Sequence, residues 1–76
     1  MLDAVIVGRV IQRGREEKRL SQELVSGLAG IGRTHLSAIE RGERKPTLET
    51  FYRIAQAMGM KPSMLLMAIE NENESD

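Results

Sequence analysis

Punctuation constrains this chain more than any other feature of its sequence. Glycines at 30, 42 and 59 and prolines at 46 and 62 cut its second half into short segments. Between those breaks the apolar residues recur at helical spacing, and no stretch alternates at period two. Both prolines stand where a helix begins, a position that tolerates a missing N–H. The three glycines stand where helices end, in the place that favours a left-handed residue. The pattern predicts an all-α fold of five helices.

The expected first helix spans about residues 3–18, with Asp3 as its cap and Val7, Ile11 and Gly14 on one face. Gly14 on that stripe marks either a close helix contact or a weak point. Val5, Ile6 and Val10 lie off the stripe, where they widen it or face another chain. Ser21 caps a second helix over about residues 22–29, with Leu20 stapling to Val25 and with Val25 and Ala29 inward. Ser26 is small enough to admit a neighbouring helix. The third helix covers about residues 33–41, with Leu36 and Ile39 inward. Thr47 caps the fourth, whose inward residues are Leu48, Phe51, Ile54, Ala55 and Met58. The fifth opens at Pro62 and places Leu65, Leu66 and Ile69 in the core. Residues 1–70 are expected to form one domain, and residues 71–76 (NENESD), without apolar content, a disordered acidic tail.

Composition narrows the functional classes. The 76 residues include no cysteine and one histidine, His35, so neither disulfides nor a Cys/His metal site is available. No nucleophile–base pair, paired carboxylates or phosphate-binding glycine loop is present, so the expectation is not an enzyme, without cofactor or metal. No apolar run reaches the ~18 residues of a membrane helix, and the N-terminus lacks the positive leader of a signal peptide. The expectation is a soluble, cytoplasmic protein. Net charge is zero, yet residues 1–69 carry +4 and residues 70–76 carry −4. A basic body suits an anionic partner.

The stretch from Gln22 to Gly42 reads as helix, tight turn, helix. The outer face of its second helix offers Arg33, Thr34, Ser37, Ala38 and Arg41, with Glu40 only at the margin. Donors without carboxylates suit a groove rich in acceptors. The pattern Ser21-Gln22, Val25, Gly30-Ile31, Leu36-Ser37-x-Ile39-Glu40-x-Gly42, Pro46-Thr47-Leu48, Ile54-Ala55 and Met58-Gly59 resembles the Cro/repressor-type helix-turn-helix DNA-binding family, over about residues 8–66. The size is like that of small stand-alone members such as restriction–modification controller proteins.

That resemblance implies a lambda-repressor-like domain that binds double-stranded operator DNA as a homodimer and regulates transcription. It implies that Arg33, Thr34 and Ala38 face base edges, with Ser37 bordering them. Gln22 would brace phosphate and recognition helix. Arg41, Arg44, Lys45 and Thr47 would meet phosphates, and Arg15 and Glu40 would form a partly buried ion pair. Gly32 departs from the family's Ser or Thr cap, and Lys61 from its small cap on the fifth helix. Excess apolar surface on the fifth helix marks Met64, Met67 and Ala68 as a dimer interface. Leu24 and Leu28, outward on the second helix, serve none of this. They favour an alternative, an antitoxin or other protein-interaction module that binds a protein partner.

Overall fold

Asp3 starts the first helix as the sequence anticipates: its Oδ1 accepts the backbone N–H of Val5 at 2.8 Å and of Ile6 at 3.4 Å. From there the computed structural model, which describes residues 2–75, contains five helices. They are α1 (Ala4–Glu17), α2 (Gln22–Ala29), α3 (Arg33–Glu40), α4 (Leu48–Ala57) and α5 (Pro62–Ser75). Ser21 and Thr47 cap α2 and α4 through their hydroxyls. Gly30, Gly42 and Gly59 all take positive φ, at 71°, 78° and 72°; Gly30 directly follows α2, and Gly42 and Gly59 come one residue further on, after the C-caps Arg41 and Met58 of α3 and α4.

The packing closes a ring. α1 lies against α3 and α5, α2 against α3 and α4, and α4 against α5. Val7, Ile11, Val25, Ala29, Leu36, Ile39, Ile54, Ala55, Met58, Leu65 and Ile69 form the core, as their spacing predicts. Ile6 and Val10 join it, so the α1 stripe is wider than one heptad face, while Val5 is exposed. No stretch of this length could hold such helices alone, and burial of these side chains stabilises them.

Two expectations change. Leu48 is 84% exposed and Leu66 is exposed as well, although both were expected in the core. Leu48 is the first residue of α4 and hangs beyond the packed layer. Together with Leu2, Val7, Lys45, Pro46, Phe51 and Ile69 the two leucines line an apolar groove of about 230 Å³.

The second correction concerns the tail, since α5 runs on to Ser75 instead of ending near residue 70. Its acidic end is held by charge instead of apolar contact. Arg13 donates to both Glu72 oxygens, at 3.3 and 3.1 Å, and Arg9 approaches the same carboxylate at 3.7 Å. The hydrogen bond from Arg13 keeps the Glu72 carboxyl below its ordinary value. The backbone N–H of Asp3 also donates to Asn73 Oδ1. Asp76 lies outside the described residues.

Of the two alternatives for Gly14, a close helix contact or a weak point, the spacing around it matches the second. A Cβ on Gly14 would sit 3.7 Å from Met60 Sδ and 3.8 Å from Met58 Cε, ordinary contact. A Cβ on Gly8 would fall 2.2 Å from the Ile39 carbonyl oxygen and 2.6 Å from that of Glu40. Gly8 is therefore where α1 meets the backbone at the end of α3. Gly42 is equally confined, because a Cβ there would lie 2.8 Å from Val5 Cα.

The two glycines of α1 should respond to alanine in opposite directions. Gly8→Ala meets backbone that cannot yield and should cost about 3 kcal/mol or more. Gly14→Ala should gain about 0.5–1 kcal/mol in helix propensity. Thermal unfolding should show Gly8→Ala melting far below, and Gly14→Ala slightly above, the parent protein.

Candidate nucleic-acid interface

The outer face of α3 meets the N-terminus of α2 because the chain between them reverses in three residues. Gly30 supplies the left-handed step, and the Ile31 N–H returns to the Ser26 carbonyl at 3.0 Å. Ser26 is buried and its hydroxyl donates to the Glu23 carbonyl, so it leaves no unpaired polar group as the helices close. α3 then starts at Gly32, which has no side chain to cap it.

One buried carboxylate fixes where α3 lies. Glu40 Oε2 accepts from Arg15 Nε at 2.7 Å, and Oε1 accepts from Arg15 Nη2 at 3.0 Å and from Gln22 Nε2 at 2.9 Å. Arg15 Nη1 donates to the Leu20 carbonyl at 2.8 Å, in the turn between α1 and α2. That turn passes through Arg19 at φ 58°, the one described non-glycine residue with positive φ. Arg15 and Glu40 are both buried. The hydrogen bond to Glu40 leads the effects that raise the Arg15 pKa above its usual value. α1, α2 and α3 thus share one fully hydrogen-bonded ion pair. Among the described residues no buried side-chain nitrogen or oxygen lacks a partner.

Gln22, Arg33, Thr34, Ser37 and Arg41 converge on one open cleft of about 180 Å³. Gln22 and Arg33 also border a second opening with Arg15, Ser21 and Glu23. Arg33 and Thr34 are exposed and Ser37 is half-buried. Arg33, Arg44 and Lys45 form no ion pair among the described residues, so their charges are available to a partner.

The sequence expectations fare unevenly. Gln22 is tied to the end of α3, its Nε2 donating to Glu40 Oε1 at 2.9 Å, a contact that involves no phosphate. Ala38 is not on the open face: it is only 9% exposed and does not line the cleft. A methyl with so little free surface is a poor reader of a base. Thr47 spends its hydroxyl locally, accepting the Thr50 N–H at 3.1 Å and donating to Thr50 Oγ1 at 3.0 Å. Arg41 turns back along α3 to donate to Ser37 Oγ and is gripped by Glu43, a residue the sequence reading did not single out. Met64 and Met67 are 53% and 51% exposed, whereas Ala68 packs partly against the core of its own chain. Leu24 and Leu28 are exposed, at 47% and 65%. No group of three His, Cys, Asp or Glu side chains among the described residues could hold a metal ion, and no helix is long and apolar enough to cross a membrane.

Comparison with known proteins agrees with this geometry. The helix-turn-helix family model matches residues 11–65. The transcriptional regulator y4dJ of Sinorhizobium fredii is 46% identical over 55 residues, 72% of this chain and 71% of that protein. The restriction–modification controller protein C.AhdI of Aeromonas hydrophila superposes with a TM-score of 0.79 at 33% identity, covering 83% of this chain and 96% of that one. The C.Esp1396I tetramer, solved with its natural 35-base-pair operator, gives 0.85 at 25% identity and covers 95% of each chain. The chain belongs to the Cro/C1-type helix-turn-helix family of DNA-binding transcriptional regulators.

The buried pair should be expensive to break and cheap to replace. Glu40→Ala strands Arg15 and should cost about 3–5 kcal/mol. The double variant Arg15→Met/Glu40→Leu should recover much of that, because two apolar side chains of similar volume avoid the desolvation of ions. Urea unfolding of the parent, the singles and the double checks it.

Proposed function

We propose that the protein regulates transcription by binding a near-palindromic operator as a homodimer, with α3 of each copy in a major groove. One observation carries this reading. Five polar side chains from two helices converge on a single open cleft, none of them a carboxylate, and the helix beneath is anchored through Glu40. The major groove is about 12 Å wide, enough for a helix, and its base edges are rich in acceptors.

On this reading Arg33 reads guanine, whose O6 and N7 match a guanidinium fork. Thr34 and Ser37 contact bases or phosphates beside it. Gln22 stands where its amide meets both Glu40 and the DNA backbone. Arg44 and Lys45 provide phosphate contacts, and with them affinity and salt dependence. Thr47, its hydroxyl occupied, contributes by fixing the loop end. The operator-bound tetramer of the related controller protein supports DNA as the partner. The site of action is then the nucleoid, in the cytoplasm.

Dimerisation draws support from apolar surface that one chain leaves open. Met64 and Met67 on α5 are exposed, and Leu48 and Leu66 open the groove between α4 and α5. A second copy covering it would place two α3 helices for half-sites about 10 base pairs apart, or a multiple of that. A second reading rests on Leu24 and Leu28, exposed one turn apart on α2. It makes the chain an interaction module, such as an antitoxin, and a stoichiometric protein partner that binds the parent but not Leu24→Ser/Leu28→Ser would favour it.

Two substitutions separate reading from anchoring. Arg33→Ala should cost about 1–3 kcal/mol on the preferred sequence and relax preference at one base position. Arg44→Ala should weaken all sequences alike and lower the salt slope by about one. Binding to a set of singly substituted duplexes at several salt concentrations measures both. Equal loss on every sequence for Arg33→Ala would make it a phosphate contact.

A further inference from the structure

The residue just after the recognition helix has a geometry that a phosphate contact does not need. Arg41 Nε donates to Glu43 Oε2 at 2.8 Å and Nη2 to Glu43 Oε1 at 3.1 Å. Its Nη1 donates to Ser37 Oγ, one turn back on the outer face of α3. Glu43 is itself fixed to that helix. Its backbone N–H bonds to the Ala38 carbonyl at 2.9 Å, across the left-handed Gly42. The guanidinium is therefore held at both sides, over the same cleft that Arg33, Thr34, Ser37 and Gln22 line.

These contacts leave two donors of Arg41 over. A guanidinium has five N–H groups in one plane. Glu43 takes two and Ser37 one, which leaves one on Nη1 and one on Nη2. Those nitrogens sit side by side at the tip, with the spacing of a fork that fits O6 and N7 of guanine. The ion pair also largely neutralises Arg41, so it gives the phosphates little net charge. Arg44, three residues on, has no ion partner among the described residues and is the better electrostatic contact. The hydrogen bond and the charge of Arg41 both hold the Glu43 carboxyl below its ordinary value, so the pair stays ionised at neutral pH.

We propose that Arg41 is a second base-reading residue, and that Glu43 and Ser37 are the residues that position it. This goes beyond the place of Arg41 in the phosphate-contacting loop and rests on the reading that α3 enters the major groove. It accounts for Glu43, a carboxylate at an anion-binding face that would otherwise only repel DNA. Glu43 lowers affinity for DNA in general and raises discrimination at one base pair. With Ala38 withdrawn from the open face, the reading face becomes Arg33 and Arg41, with Ser37 between them at i+4 from Arg33 and Thr34 alongside.

The test is binding of the purified protein to its selected operator and to duplexes in which each base pair is replaced in turn, at several salt concentrations. Arg41→Ala should flatten discrimination at one guanine, on the order of tenfold, at a position different from that governed by Arg33. Arg41→Lys, which keeps the charge and loses the fork, should flatten the same position with an unchanged salt slope. Glu43→Ala should relax that position while tightening binding to unrelated duplexes. Both substituted side chains, Arg41 and Glu43, are exposed, and circular dichroism confirms the fold of each variant. The proposal is overturned if Arg41→Ala weakens every duplex by one factor and lowers the salt slope, or if Glu43→Ala leaves discrimination intact. If Arg33→Ala relaxes its position and Arg41→Ala relaxes none, this proposal alone fails. If neither relaxes any position, the placement of α3 in the groove fails with it.

Discussion

The Glu40 carboxylate is the point on which the geometry of this protein depends. It stands at the last residue of α3 and takes hydrogen bonds from α1 and α2 together. A buried charge is tolerated only when its lone pairs are satisfied, and here three donors meet two oxygens. The pair is not a large source of stability by itself. What it supplies is direction: an apolar contact permits sliding, whereas a forked ion pair fixes the end of α3 relative to α1, and the Gln22 hydrogen bond ties the same carboxylate to α2. The same Arg15 holds the Leu20 carbonyl and with it the turn that feeds α2.

The glycines act on the same joint from the backbone side. Gly8 admits the carbonyls of Ile39 and Glu40 against α1, and Gly42 admits Val5. α3 is thus clamped along its inner side by packing, at its end by Glu40, and at its start by the turn through Gly30. Its outer face is left with no structural duty, which is the condition for a surface that can vary with its target. The apolar groove at α4 and α5 shares no lining residue with the cleft on this face, so the proposed reading and the proposed pairing draw on separate parts of the fold.

Much of this is legible in the sequence. Caps and breakers act locally, so Asp3, Ser21, Thr47, Gly30, Gly42 and Gly59 could be placed from neighbouring residues alone. Long-range partnerships were less accessible. Periodicity ranked Leu48 and Leu66 with the core, because it counts faces and cannot see that a helix end overhangs its neighbours. Composition made residues 71–76 a disordered tail, because Glu72 has no apolar company; its partners, Arg9 and Arg13, are i and i+4 on another helix. Gly8 carries a usable signal, an isolated glycine amid Val and Ile on a helix, whereas Gly14 lies on the spaced stripe without a close contact. In the site, Arg15–Glu40 came from the family resemblance. The grip of Glu43 on Arg41 did not, since nothing in the spacing of two exposed charges says that they will meet.

The remaining helices are the mount on which α3 is presented. On the proposed reading, that surface meets a particular DNA sequence, read twice by two copies. The most direct measurement is unbiased selection, with the purified protein at fixed salt, of duplexes from a random pool. The account predicts convergence on one near-palindromic sequence whose half-sites lie about 10 base pairs apart, or a multiple of that. A recovered pool with no sequence enriched over the starting material would contradict it.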